Sequence, residues 1–345
     1  MKPSASTERS GWRPADRTAL RKNGEFVSSV SIDELVARAR EGRARAVAIL
    51  LSLVENAHPR LPELAQALTP YTGNSRIIGL TGPPGVGKST LTSLLVGALR
   101  SQGKRVGVLA IDPSSPFTGG ALLGDRIRMI EHVTDPGVFI RSMATRGHLG
   151  GLSWSTPQAV RVLDVCFDVV LVETVGVGQS EIDVVRLADT TVVLLAPGLG
   201  DAVQAAKAGV LEIADCFVVN KSERDGADAV VHDLKQMIAF GRNGLPGPLW
   251  RQPVVRTSAV RRDGAEELLA ALDSHYDWLT TRGLLIPRRI ERAEREIEAI
   301  TMRNLQTEIS HLDGGEHIAR LAREIVDRLK DPYAAAQELI AAISA

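Results

Sequence analysis

The segment GPPGVGKST, residues 82–90, has the residue types and spacing of a phosphate-binding loop. It matches the pattern G-x-x-x-x-G-K-[ST], and it stands between an apolar β-branched run and a helical pattern, which is the context that this motif requires. Its glycines allow successive backbone N–H groups to turn toward an anion at the positive end of a helix dipole. The sequence therefore predicts that a nucleotide's phosphates bind Gly82, Pro83, Pro84, Gly85, Val86, Gly87, Lys88, Ser89 and Thr90.

Two residues of this loop and two nearby carboxylates have separate predicted roles. The Lys88 ammonium is expected to reach the β- and γ-phosphates and to act in catalysis, and the Ser89 hydroxyl is expected to ligate Mg²⁺. The loop DPSSPFTGGALLGD, residues 112–125, begins and ends with a carboxylate. Taken alone, Asp112 could be a turn residue and Asp125 a helix N-cap. Beside a phosphate loop, we favour a catalytic and Mg²⁺-holding role for both.

The run FDVVLVETVGVGQSE, residues 167–181, is a predicted buried strand that ends in an acid and a glycine-containing turn. An acid at such a strand end holds Mg²⁺ directly or through water in nucleotide hydrolases. Buried strand ends seldom carry a carboxylate without a partner, which favours this metal-holding role for Glu173. We expect the Gly176 N–H to contact the γ-phosphate, and Gln179 is the candidate for positioning the attacking water.

The segment NKSE, residues 220–223, contains most of the Asn-Lys-x-Asp motif with which GTPases read guanine, but Glu223 replaces the aspartate. Asn220 is expected to bond guanine N7, and the stem of Lys221 is expected to lie against the base. A carboxylate must also accept from guanine N1–H and the 2-amino group. Glu223 can do so if its loop retreats by the length of a methylene group, and Asp225 is the alternative if the loop bulges.

A second base-contacting segment follows another predicted strand, at TSA, residues 257–259. Its backbone N–H at Ala259 would donate to guanine O6, whereas adenine has a donor amine at that position. This arrangement selects guanine whichever carboxylate reads the other edge of the base. The sequence therefore predicts GTP and GDP as ligands, with the base loop formed by Ser258, Ala259 and Val260.

The elements that must position these residues predict an α/β fold of the P-loop NTPase type, with a mostly parallel central sheet flanked by helices. Predicted strands lie at residues 76–81, 105–111, 137–141, 168–173, 190–195, 215–219 and 253–257. Ser31 and Glu34 have the spacing of a capping box and open an N-terminal helical stretch. The predicted units are a disordered tail at 1–28, a helical region at 29–72, a P-loop domain at 73–283 and a C-terminal helical dimerisation arm at 284–345.

Composition excludes several functional classes. The 41 basic residues balance the 41 acidic ones, which argues against a dedicated nucleic-acid binder. The longest apolar run, AVAILLSLV at residues 46–54, is far too short to cross a bilayer. Cys166 and Cys216 are the only cysteines and suggest neither a disulfide framework nor a metal cluster. A reducing, cytoplasmic compartment is therefore expected.

Six segments together resemble the MeaB-type (ArgK/MMAA) G-protein chaperones of cobalamin-dependent acyl-CoA mutases. They are GPPGVGKST, DPSSPFTGGALLGDR, RGHLGG, FDVVLVETVGVGQSE, APGLGD and NKSE. The resemblance, which extends over residues 30–285, implies a homodimeric GTPase of the signal-recognition-like P-loop class that uses GTP/GDP and Mg²⁺. It also implies that GTP hydrolysis gates cobalamin loading and protection, with an adenosylcobalamin-dependent acyl-CoA mutase as partner and an adenosyltransferase as a further one.

The segment APGLGDAVQAAKAG, residues 196–209, is similar to a switch segment of that family, which relays the nucleotide state to the mutase. On this resemblance, Asp201, Gln204 and Lys207 carry the relay. The residues alone are also compatible with a helix capping box followed by a solvated lysine.

Two other functions use the same kind of phosphate loop. A metallochaperone GTPase for nickel or zinc needs closely spaced Cys and His ligands, but the chain has no C-x-x-C and its seven histidines are scattered. His132, His148 and His232 are expected at surface or loop positions. A small-molecule kinase needs an acceptor pocket and usually a base near the γ-phosphate, and no segment indicates either.

Overall fold

The structure is a computed structural model, and it describes residues 30–112, 129–144, 155–174, 186–198, 213–241, 249–311 and 316–343. Seven strands form one sheet with the order β3-β2-β4-β1-β5-β6-β7, and every neighbouring pair is parallel. The strands are β1 (Arg76–Thr81), β2 (Val106–Asp112), β3 (Val138–Ala144), β4 (Val169–Thr174), β5 (Thr190–Leu195), β6 (Cys216–Val219) and β7 (Val254–Arg256).

All seven predicted strands are confirmed, and the largest difference is that β3 ends at Ala144 rather than at residue 141. The described residues also contain ten α-helices. They are α1 (Ile32–Arg40), α2 (Ala44–Glu55), α3 (Leu61–Leu68), α4 (Lys88–Ser101), α5 (Ser155–Asp164), α6 (Ala227–Gly241), α7 (Ala265–Thr281), α8 (Leu285–His311), α9 (Glu316–Val326) and α10 (Pro332–Ile343).

Apolar side chains cover both faces of the sheet, as parallel strands require. On one face, Ile77 of β1 and its neighbour Val170 of β4 pack into a cluster that includes residues of α1, α2, α3 and α5. On the other face, Ile78 and its neighbour Leu171 pack into a cluster that includes residues of α4 and α7. β1 therefore lies in the middle of the sheet, and the loop that leaves its carboxyl end emerges where nucleotide sites form in such folds.

The predicted capping box at the start of α1 is wrong in one respect. Ser31 is the N-cap residue with extended backbone, but its side chain makes no capping hydrogen bond within the described part of the chain. Glu34 instead accepts a hydrogen bond from Arg38, one turn later. This i,i+4 ion pair competes with the reach of Glu34 back to the N-cap. The helix still starts where the pattern predicted.

A buried aspartate at the amino end of β5 attaches the C-terminal helices to the sheet. Asp189 accepts the backbone N–H of Ile77 at 3.0 Å. It also accepts Nε and Nη2 of Arg289, from the first turns of α8, at 3.1 and 2.8 Å. Arg289 donates in addition to the carbonyl of Ser75. Asp189 is buried and Arg289 is only 14% exposed, so the pair depends on these fixed contacts.

A second aspartate does the same at the amino end of β6. Asp215 accepts the backbone N–H of Thr191 at 2.8 Å and two bonds from Arg288, at 2.9 and 3.0 Å. His275, fully buried in α7, places Nε2 3.3 Å from the same carboxylate. Burial raises the pKa of Asp215, but the nearby His275 and the hydrogen bonds from Arg288 outweigh it and hold the pKa below its ordinary value. The start of α8 is thereby fixed to the amino edge of the sheet.

Candidate functional site

Three glycines shape the loop at the carboxyl end of β1. Gly82 has a φ of 144°, and a Cβ there would overlap the carbonyl oxygen of Leu194 in β5. Gly85 and Gly87 have φ values of 80° and 96°, which side-chain-bearing residues seldom adopt. Gly87 is the N-cap of α4, so the loop runs directly into a helix N-terminus. The backbone has the form that anion-binding loops require.

Lys88, the first residue of α4, folds back over this loop. Its ammonium donates to the carbonyl oxygens of Gly82 at 2.6 Å and Pro83 at 3.0 Å. The side chain is buried, which holds the charge beside the loop's backbone N–H groups. Within the same segment Val86 is buried, whereas Pro84 and Thr90 are exposed.

Glu173, at the end of β4, is joined to α4 by two hydroxyl groups. Ser89 Oγ donates to Oε1 at 2.7 Å, and Thr92 Oγ1 donates to Oε2 at 2.9 Å. All three side chains are buried. Mg²⁺ binds hard oxygen ligands such as hydroxyl, carboxylate, phosphate and water oxygens. The Ser89 hydroxyl beside the Glu173 carboxylate therefore fits this ion. Thr92 was missed in the sequence, although it lies three residues after Ser89 on the same helix face.

Of the remaining predicted catalytic and switch residues, the structure describes only Asp112. Asp112 ends β2, with Ala144 of β3 opposite it, so its backbone lies at the carboxyl edge of the sheet one position beyond Ile111, which pairs with Thr174. The other predictions of this group lie outside the described residues: Asp125, Gly176, Gln179, Asp201, Gln204 and Lys207.

Asn220, just after β6, joins the phosphate loop to the segment after β7. Its Nδ2 donates to the carbonyl of Val86 at 2.8 Å. Its Oδ1 accepts from Thr257 Oγ1 at 3.1 Å and from the backbone N–H of Ala259 at 3.4 Å. Lys221 has a φ of 55° and donates to the carbonyl of Gly85 at 2.6 Å. The structure therefore brings together the phosphate loop and both predicted base-contacting segments.

The two candidate carboxylates for reading the base have different environments. The Ser258 hydroxyl, the backbone of Glu223 and the charges of Arg261 and Arg224 together lower the pKa of the Glu223 carboxylate. Glu223 Oε2 is shielded from solvent and has no hydrogen-bond partner in the described part of the chain. Asp225 is exposed. An ionised carboxylate with a buried acceptor, next to the base loop, fits the N–H edge of guanine.

Val260 and His132 have surroundings that the sequence did not predict. Val260, the third residue of the predicted base loop, is 83% exposed. His132, expected at the surface or in a loop, has a side chain that is only 14% exposed, and its Nε2 lies 2.9 Å from the carbonyl of Ser93 in α4. Its role in packing against α4 depends on a contact between residues distant in sequence, which no local pattern signals.

Three features define this fold and site as those of a P-loop nucleotide hydrolase. A glycine-rich phosphate loop follows the central strand of a parallel sheet, the neighbouring strand ends in an acid bonded by hydroxyl groups, and an Asn-Lys pair contacts the loop. The chain belongs to the MeaB family: residues 45–313 match the family described as methylmalonyl Co-A mutase-associated GTPase MeaB. This confirms the resemblance read from the sequence.

Individual relatives agree with this assignment. GTPase ArgK of Escherichia coli is 34% identical over 314 residues, 89% of this chain and 93% of that protein. The mouse methylmalonic aciduria type A homolog, mitochondrial, is 33% identical over 333 residues, 90% of this chain and 79% of that protein. The crystal structure of an LAO/AO transport system kinase has a TM-score of 0.66 at 26% identity, covering 92% of this chain and 99% of that one.

The protein is therefore a GTPase that binds guanine nucleotides and hydrolyses GTP to GDP and phosphate. Within the described ranges, no helix is both long and apolar enough to span a membrane.

Proposed function

We propose that this GTPase gates the loading and protection of the cobalamin cofactor of an adenosylcobalamin-dependent acyl-CoA mutase. The observation that carries the proposal is the match of residues 45–313 to the mutase-associated GTPase family. The mouse relative, whose name refers to methylmalonic aciduria, supports the same assignment. Methylmalonyl-CoA mutase or a related acyl-CoA mutase is the proposed partner, with an adenosyltransferase as a second one.

The proposed chemistry distributes roles among the residues at the carboxyl edge of the sheet. Lys88 and the loop N–H groups bind the β- and γ-phosphates, which favours charge development in the transition state. Ser89 and Glu173, with Asp112 and Asp125, hold Mg²⁺, which when bound neutralises charge on the phosphate oxygens. Asn220, Lys221, Glu223 and the loop Ser258–Val260 hold the base.

Switching and relay are assigned to segments outside the described residues. Gly176 is proposed to contact the γ-phosphate, and Gln179 to position the attacking water. Asp201, Gln204 and Lys207 are proposed to report the nucleotide state to the mutase. Coupling of this kind is a free energy between two sites, so its loss should leave chemistry at the nucleotide intact.

A homodimer is proposed, with the C-terminal arm at residues 284–345 as its interface. The support is that the described residues of α8 expose six large apolar side chains: Ile286, Ile290, Ile297, Ile300, Met302 and Leu305. Unpartnered apolar residues of this kind favour a further contact. The boundaries at residues 28, 72 and 283 and a cytoplasmic location belong to the same proposal.

The experiment compares GTP hydrolysis by the purified protein alone and with purified methylmalonyl-, isobutyryl-, ethylmalonyl- and 2-hydroxyisobutyryl-CoA mutases. We expect one mutase to accelerate turnover by about 10-fold or more, which is about 1.4 kcal/mol of coupling. Lys207→Ala should keep intrinsic hydrolysis and lose the acceleration. Lys88→Ala, which removes the cation from the phosphates, should lose hydrolysis both with and without the mutase.

Two outcomes would contradict the proposal. Unchanged turnover with all four mutases, at concentrations where the protein hydrolyses GTP, would remove the mutase from the function. Full acceleration of the Lys207→Ala variant would remove the relay while leaving the partnership in place.

A further inference from the structure

Glu131 stands between the helix that carries the phosphate loop and the loop that follows β7. Its Oε1 accepts the Ser93 hydroxyl of α4 at 2.6 Å. Its Oε2 accepts Nη2 of Arg262 at 2.9 Å. Ser93 lies one turn after Ser89, which is a predicted phosphate and metal residue. These three side chains, which we call the Glu131 bridge (Ser93, Glu131 and Arg262), therefore connect the phosphate half of the site to the base half.

The backbone of Arg262 has an unusual conformation for a residue with a side chain. Its φ is 56°, in the left-handed region, which is unfavourable for a residue other than glycine. It lies in a compact turn closed by Ser258 N to Asp263 O at 3.1 Å and Asp263 N to Ser258 O at 3.0 Å. A glycine would adopt this φ more easily. The turn therefore holds Arg262 in a fixed backbone conformation, from which its side chain reaches Glu131.

The same turn also carries or contacts groups proposed to read guanine. The backbone N–H of Ser222, next to Glu223, donates to the carbonyl of Thr257 at 3.1 Å, and the N–H of Ala259 donates to Asn220 Oδ1 at 3.4 Å. A displacement of the turn therefore displaces both the carboxylate that would accept from guanine and the N–H that would donate to O6. The position of the turn relative to α4 sets the distance between the base-reading groups and the phosphate loop.

The ion pair between Glu131 and Arg262 is exposed, and an isolated pair of this kind contributes little. The Glu131 carboxylate, however, is already ordered by Ser93, and His132 Nε2 lies 3.5 Å from its Oε1. The hydrogen bond from Ser93, assisted by the charges of His132 and Arg262, lowers the pKa of Glu131. Because one partner is held in place, only the Arg262 side chain loses freedom when the pair forms.

We propose that Glu131 and Arg262 are positioning residues for guanine selection, acting through the turn that carries Ser258 and Ala259. The inference rests on the proposed guanine-reading role of that turn. Neither side chain needs to touch the nucleotide. Removing the bridge should weaken binding of guanine nucleotides and leave contacts to the phosphates unchanged.

The test uses Arg262→Gly and Glu131→Gln in the full-length protein. The glycine relieves the left-handed strain while it removes the ion pair, and the glutamine retains an acceptor for Ser93 without the charge. Calorimetric titration with GDP, ADP and magnesium pyrophosphate separates base from phosphate binding. We expect GDP affinity to fall about two- to five-fold in each variant, with ADP and pyrophosphate unchanged.

Two controls make the result specific. Arg328→Gly removes another arginine with positive φ, 61°, from an exposed position in the turn between α9 and α10, and it should leave all three affinities unchanged. The double variant of Arg262 and Glu131 should lose no more GDP affinity than either single one, because both remove the same contact.

Distinct outcomes overturn the bridge and the guanine site. Wild-type GDP affinity in both variants, or equal losses for GDP and pyrophosphate, would overturn the bridge as a positioning device. Losses that add in the double variant would do the same. If the wild-type protein bound ADP as tightly as GDP, the guanine-reading assignment itself would fail.

Discussion

The two edges of the sheet both bury carboxylates, but they hold them in different ways. At the amino edge, Asp189 and Asp215 each bind an arginine of α8 through two hydrogen bonds. At the carboxyl edge, Glu173 accepts the hydroxyl groups of Ser89 and Thr92. A guanidinium fork fixes a carboxylate in one geometry, whereas a hydroxyl can rotate and change its acceptor.

The difference separates a structural use of buried acids from a functional one. An arginine pair in the interior keeps its charges matched, and neither partner can leave without a large cost. A hydroxyl-bonded acid can exchange its contacts when a cation and phosphates arrive. We infer that the amino edge is built for attachment of the C-terminal helices and that the carboxyl edge is built for exchange of ligands.

The largest expected effect tests the amino edge. Arg289→Met leaves Asp189 buried without its main cation, so we expect the free energy of unfolding to fall by about 3–5 kcal/mol. GDP affinity of the folded variant should stay within about two-fold of wild type, since the change lies at the edge away from the phosphate loop. Urea denaturation and GDP titration measure the two quantities.

A matched control lies on the same helix. Arg295 pairs with Glu291 at exposed positions, so Arg295→Met should change stability by less than about 1 kcal/mol. Loss of GDP affinity in Arg289→Met but not in Arg295→Met would show that the two edges are coupled. It would contradict a purely structural role for the amino edge.

The second effect tests the carboxyl edge. Glu173→Gln keeps the volume and hydrogen-bonding capacity next to Ser89 and Thr92 but removes the charge. We expect hydrolysis to fall by about 100-fold or more, equal to roughly 2.7 kcal/mol of transition-state stabilisation, with little change in stability. Steady-state phosphate release and a melting curve measure the two. A variant that loses stability but hydrolyses GTP normally would place Glu173 with the structural acids.

The smallest of these effects distinguishes the two candidate base readers. Glu223→Ala removes an ionised carboxylate beside Ser258, so GDP should bind about 10-fold more weakly while ADP binding is unchanged. Asp225→Ala changes an exposed residue and should leave GDP affinity as it is. The reverse pattern in the two titrations would assign the guanine contact to Asp225.

The sequence was sufficient to predict the secondary-structure elements and most of the residues of the phosphate loop. Strands such as β4 are continuous apolar runs, and the loop after β1 is a local motif whose glycines, lysine and serine are consecutive. Local patterns of this kind can be recognised in the sequence without knowledge of the fold. The sequence also placed Asn220 and residues 257–259 after two predicted strands, and the structure brings these strand ends together at one edge of the sheet.

Contacts between distant segments were not predictable in the same way. Glu131 and Arg262 are separated by 131 residues, and each looks like an ordinary surface charge in its own segment. The pairing of Asp189 with Arg289 spans 100 residues and depends on where α8 crosses the sheet. A choice between Glu223 and Asp225 also required the position of Ser258, which comes from a different strand end.

The close approach of Asn220 to the phosphate loop constrains how this nucleotide site can evolve. A Cβ on Gly87 would overlap Nδ2 of Asn220, so a residue that shapes the phosphate loop also contacts the one proposed to bind the base. Mutational paths through these two positions are therefore epistatic: a substitution at either changes the effect of a substitution at the other. A laboratory selection for a different nucleobase would have to vary positions 87 and 220 together, because a library that randomises only one of them keeps its best members near the starting specificity.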